Sequence, residues 1–79
     1  MKVVSWNVNG LRACVKKGFL TYLEEEAPDI LCLQEIKAMP EDLEDHVLNP
    51  RGYHTLWHSA QRKGYSGVAI YSKEEPINI

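Results

Sequence analysis

The residues of this chain best placed to do chemistry are Asn7, Asn9, Glu35 and Lys37. Glu35 follows Ile30, Leu31, Cys32, Leu33 and Gln34, a short apolar run that ends in polar side chains. A carboxylate at the end of a buried run is costly unless it meets a cation or hydrogen-bond donors. The plainer reading is a strand leaving for solvent, with Lys37 as ion-pair partner. The sharper one is a hard-cation site: a carboxylate with amide oxygens suits magnesium, the usual occupant in phosphate chemistry. Two protein donors do not complete such a site, so water, substrate or other residues must supply the rest. Asn9 has a second reading, because Asn-Gly is a turn signal and Asn tolerates positive φ. Zinc is a poor fit. His54 and His58 share a face of a strand but stand too far apart for a routine shared metal, and His46 has no partner at ligand spacing.

The elements that must position these residues follow from the pattern. Lys2 to Val8 reads as a strand with Val4, Trp6 and Val8 on one face and Ser5, Asn7 and Asn9 on the other. From Leu11 to Ala27, Val15, Phe19, Tyr22 and Leu23 fall on one helical stripe, and Gly18 marks a break between two pieces. Lys16 and Lys17 lie off that stripe. A solvated face accounts for Lys16 most simply, although lysines early in a helix oppose its macrodipole. Ile30 to Leu33, after Pro28-Asp29, reads as a second strand. Strand, helix, strand within this length predicts a parallel pair with a right-handed crossover, which opens Asn7 and Glu35 onto one rim.

Ala38 to Asn49 reads as a solvated connector with a short helix opening at Pro40. Gly52 to Ala60 alternates as a third strand, with Tyr53, Thr55 and Trp57 opposed to His54, Leu56 and His58. Gln61 to Ser66 reads as a hairpin loop in which Arg62, Lys63 and Tyr65 suit a phosphate backbone or a base. Gly67 to Ser72 is the fourth strand. Pro76 to Ile79 begins a new alternation, so the chain is expected to be the incomplete N-terminal portion (residues 1–79) of a larger domain.

Seventy-nine residues allow at most one small domain. The net charge of −2 excludes a whole-chain basic field, so polyanion binding needs a local patch. Cys14 and Cys32 form no CxxC, and the N-terminus is too short and polar for a signal peptide or membrane span. The expectation is a soluble protein with reduced thiols in the cytoplasm, a bacterial cytosol or nucleoid being the natural setting.

Three blocks now stand in order: SWNVNGLRA, PDILCLQEIK and GYSGVAIYSK. Together they closely resemble the N-terminal part of the exodeoxyribonuclease III family of abasic-site endonucleases, within the endonuclease/exonuclease/phosphatase superfamily. The second block matches the family signature at every position, and the resemblance covers Met1 to Lys73. It implies part of a four-layered α/β sandwich of the DNase I-like kind: a βαβ unit and hairpin in a mixed sheet, whose other face meets a second sheet. It implies a magnesium-dependent DNA repair phosphodiesterase, manganese being an alternative metal. Such an enzyme cuts beside abasic sites in double-stranded DNA and trims 3′ ends, as a monomer without membrane contact. By the same resemblance Glu35 is the metal-binding glutamate, and Asn7 frames the metal and the catalytic centre. Asn9 stands where relatives carry Asp or Asn, a weaker ligand in the amide form. Arg12, Ala13 and Lys17 fall in a DNA-backbone segment, Gly64 and Tyr65 in a minor-groove loop, and Lys37 supports the acidic site. The family's catalytic tyrosine, Asp-x-Asn pair and Asp-His pair have no counterpart here, and His46, His54 and His58 are not that histidine. The isolated chain is therefore expected to lack the general base and to be inactive alone.

Two other readings remain open at this point. One is a superfamily phosphodiesterase or phosphatase acting on RNA, inositol phosphates or lipids. The other is a non-catalytic nucleic-acid-binding piece using Arg12, Lys17, Arg62 and Lys63.

Overall fold

A computed structural model describes residues 1–59 and 67–74. The expected loop with Arg62, Lys63, Gly64 and Tyr65, the end of the third strand at Ala60, and the alternation over Pro76 to Ile79 lie outside the described residues.

Four strands form one mixed sheet: β1 (Val3–Asn7), β2 (Ile30–Gln34), β3 (His54–Ser59) and β4 (Gly67–Ser72). Their order is β1-β2-β4-β3, with β1 parallel to β2 and the other two pairings antiparallel. The parallel pair needs a crossover, which α1 (Leu11–Lys16) and α2 (Phe19–Glu26) provide. They part at Gly18, whose φ of 106° lies in the left-handed region. A Cβ added at Gly18 meets nothing within 4 Å, so Gly18→Ala tests backbone strain alone. It is expected to lower stability by about 1–2 kcal/mol, read as a shifted denaturation midpoint at constant m-value.

One face of the sheet is covered. Leu31, Leu33, Ala69 and Tyr71 are buried against Leu11, Phe19 and Leu23, with Trp6 and Trp57 packed at the margin. The connector after β2 is less solvated than its composition suggests. Pro40–Asp42 forms a 3-10 turn and α3 (Asp45–Leu48) follows, burying Val47 in the same core. A short acidic segment hides a buried residue well, because only one side chain in four needs to point inward. The opposite face carries Val3, Leu56, Val68 and Ile70, exposed by 60, 50, 44 and 36%.

The crossover's far end is clamped by charge. The Lys2 N–H donates to Asp29 Oδ2 at 2.6 Å and Lys2 Nζ to Glu26 Oε1 at 2.7 Å. The Lys2 backbone bond holds the Asp29 carboxyl below its ordinary range. A carboxyl depressed in the native state contributes stability above its unfolded pKa, and that contribution fades as pH falls through the native value. Asp29→Asn should therefore destabilise the protein at neutral pH. The gap to wild type should close below about pH 4, as a series of urea melts would show.

Candidate functional site

The C-terminal ends of β1 and β2 stay paired after the strands stop. Val8 N–H donates to the Gln34 carbonyl at 3.1 Å, Gly10 N–H to that of Glu35 at 2.8 Å and Leu11 N–H to that of Ile36 at 2.8 Å. Leu11 and Ile36 are fully buried, which anchors both exits in the core. The polar residues between these anchors are thus presented on a fixed rim.

Backbone geometry decides where they point. Gln34 lies on the open face, where its Nε2 donates to Ser5 Oγ at 2.8 Å. Strict alternation would turn Glu35 towards the core. Glu35 instead adopts φ 53° and Lys37 φ 51°, so Ile36 plugs the core while its neighbours turn outward. Asn9 is also left-handed, at φ 46°. Asn tolerates this region, but Glu35 and Lys37 held there two residues apart mark stored strain of the kind found at functional sites.

The side chains form a closed relay. Asn7 Nδ2 donates to Glu35 Oε2. Asn7 Oδ1 accepts from the Asn9 N–H at 3.0 Å. Asn9 Oδ1 accepts from Lys37 Nζ at 2.5 Å, and Lys37 Nζ stands 3.8 Å from Glu35 Oε1. Both ends of that last pair are part-exposed, so water screens it, and the shorter Lys37 bond goes to Asn9. Lys37 therefore lies beside the carboxylate without capping it.

The donor set suits a hard cation in part. Glu35 supplies the anionic oxygens, and Asn7 Oδ1 keeps a lone pair beyond its bond to Asn9. Asn9, expected among the ligands, has its Oδ1 bonded to Lys37 Nζ and likewise keeps one lone pair, with its backbone at φ 46°. Among the described residues no three His, Cys, Asp or Glu side chains come together as a metal cluster. His58 sits in register with Val68, itself opposite Gln34, so it is two strands from the acidic rim. His46 pairs with Glu44 at 3.3 Å.

Around the rim the helix α1 contributes cations. Gly10, Arg12, Ala13, Lys16 and Lys37 line an open groove of about 600 Å³. Lys17 lies on the other side of Ala13, in a hollow of about 350 Å³ with Trp6, Asn9, Cys14 and Tyr22. Burial pushes the Cys14 thiol up from its ordinary pKa, against the pull of Lys17. The structure thus gathers Asn7, Asn9, Glu35 and Lys37 and flanks them with Arg12, Ala13 and Lys17. Gly64 and Tyr65 fall outside the described residues. Sequence reasoning reads Lys16 most simply as part of a solvated face and passes over Ile36. The inward position of Ile36 follows from no alternation rule, and helical spacing from Arg12 was the available signal for Lys16.

The parallel crossover of this α/β fold thus presents one carboxylate between amides and cations on a single rim. The chain belongs to the endonuclease/exonuclease/phosphatase family, whose pattern matches residues 4–79. An exodeoxyribonuclease of Bacillus subtilis is 51% identical over 80 residues, covering all of this chain and 31% of the relative. The fold matches an AP endonuclease from Archaeoglobus fulgidus with a TM-score of 0.81 at 37% identity, covering 96% of this chain and 28% of that one. It also matches a 3′ phosphatase, NExo from Neisseria, solved bound to a product DNA hairpin. There the TM-score is 0.78 at 37% identity, again covering 96% of this chain and 28% of the other. The chain therefore spans less than a third of the length of these relatives.

Proposed function

We propose that the intact protein is a magnesium-dependent DNA repair phosphodiesterase that cuts the backbone at abasic sites and trims 3′ ends. The observation that carries this reading is the relay from Asn7 through Glu35, Lys37 and Asn9, held on the rim by strained backbone and bordered by a cationic groove. The relatives support the substrate: one is named an exodeoxyribonuclease, one an AP endonuclease, and one was solved with DNA.

A divalent ion at Glu35 would neutralise phosphate charge and stabilise the leaving oxygen. The chain's own residues prepare that position. Asn7 fixes the carboxylate's orientation, so little reorganisation is needed when charge develops. Lys37 and Arg12 attract the backbone phosphates that flank the reacting one. The two free thiols fit work in a reducing, cytoplasmic compartment.

A cleavage panel tests the reading. The intact protein, with magnesium, is offered duplex DNA carrying an abasic site, undamaged duplex, RNA and inositol phosphates. Cutting confined to the abasic duplex, with slower release of nucleotides from 3′ ends, is the expected pattern. Preference for RNA or inositol phosphates would move the protein to another branch of the family. Salt-sensitive DNA binding without any cleavage would leave a binding protein.

A further inference from the structure

The groove beside the acidic rim has a property that the chain's overall charge conceals. Its lining carries three cations, Arg12, Lys16 and Lys37, and no carboxylate. Arg12 and Lys16 stand one helical turn apart on α1, so their side chains share a face. Among the described residues neither has an acidic partner within ion-pair distance. Gly10 and Ala13 form the remainder of the lining, and their small size lets a ligand approach the backbone.

The side of α1 beyond Lys16 has the opposite character. There Arg12 and Lys16 border a smaller hollow of about 210 Å³ with Asp42, Glu44 and His46. In that hollow two carboxylates offset Arg12 and Lys16, while the groove lining carries cations alone, with the Glu35 carboxylate 3.8 Å from Lys37 at its rim end. A phosphate beside Lys16 is therefore matched better by the groove than by the hollow.

We propose that Lys16 is a phosphate-contacting residue, seating a backbone phosphate of duplex DNA in the groove that Arg12 and Lys37 complete. This assignment rests on the phosphodiesterase reading above and extends it to a second phosphate position, beside the one at Glu35. A lysine suits the task because an exposed point charge on a flexible stem releases counterions without needing a fixed geometry.

The test is equilibrium binding of the intact protein to a fluorescein-labelled duplex bearing a tetrahydrofuran abasic analogue. It is followed by anisotropy in EDTA, from about 50 to about 200 mM salt. Lys16→Ala should weaken binding several-fold at the low end and flatten the plot of log K against log salt by about one unit. Lys16→Arg should restore the slope. Arg51→Ala, a charge loss in a hollow sharing no residue with the groove, should leave it unchanged. A wild-type slope in Lys16→Ala, with a flattened one in Arg12→Ala, overturns the assignment and leaves the proposed function standing. Wild-type protein that binds the duplex without salt dependence, or fails to bind it, overturns both.

Discussion

Replacing Glu35 by glutamine in the intact protein should lower kcat for abasic-site cleavage by about 10²–10³-fold, with little change in stability. The fall is sized on the loss of one preorganised electrostatic contact to developing charge. The substitution keeps the shape of the side chain and removes its charge. It also reverses one end of the relay. With Asn7 donating to the glutamine carbonyl, the new amide nitrogen faces the Lys37 ammonium, donor against donor. The fold should survive because the Glu35 side chain is 41% exposed and the core contact at this turn belongs to Ile36. Two measurements separate the site from the scaffold. Thermal melts without metal should coincide for variant and wild type, whereas added magnesium should raise the wild-type midpoint more. Turnover close to wild type at saturating magnesium would remove Glu35 from the centre of the reaction.

That prediction depends on a turn the sequence does not announce. The parallel β1–β2 pair, the break at Gly18 and the bounds of β4 were all readable, because each has a local signature. These are valine-rich alternation, a glycine inside a helical stripe, and a hairpin strand after a polar loop. The rim was readable as a place, since a right-handed crossover sends both strand ends to one side. Its geometry was not. Left-handed backbone is normally signalled by glycine, and here it falls on Glu35 and Lys37, where nothing in residue type gives notice. What holds them is non-local: the pairing of Gly10 with Glu35 and of Leu11 with Ile36, and the Ile36 N–H bonded to the Gly67 carbonyl. Such strain persists only when surrounding contacts over-determine it. The connector was misjudged for a related reason. Two buried residues, Ala38 and Val47, and two hydroxyl bonds to its backbone carbonyls decide its place, and neither shows in a composition dominated by acids.

The Tyr71 hydroxyl bond leads to the largest expected loss of stability. Tyr71 is fully buried at the centre of the covered face, edge-on to Phe19 at 5.7 Å, Trp57 at 5.8 Å and Tyr53 at 6.3 Å. Its hydroxyl donates to the Val47 carbonyl at 2.6 Å, as Thr55 Oγ1 does to Leu48 at 2.6 Å and Tyr53 Oη to Pro28 at 2.7 Å. Burial drives the Tyr71 phenol far above its ordinary pKa, so it remains protonated and donating across the working pH range. Tyr71→Phe keeps the ring and strands the buried carbonyl of Val47, which should cost about 1–2 kcal/mol. Tyr71→Ala also removes the ring from contact with three aromatic neighbours and should cost about 3–5 kcal/mol. Against a total of about 5–15 kcal/mol for a typical domain, the alanine variant should be partly unfolded at modest urea. Equal midpoints for the two variants would mean that the hydroxyl, and not the ring, carries the site. The register adds a functional consequence. Tyr71 pairs with Leu31 in the ladder that sets Gln34 opposite Val68, one residue before Glu35. The phenylalanine variant keeps that ladder and should retain wild-type kcat while losing stability, whereas loosening the ladder itself should cost both.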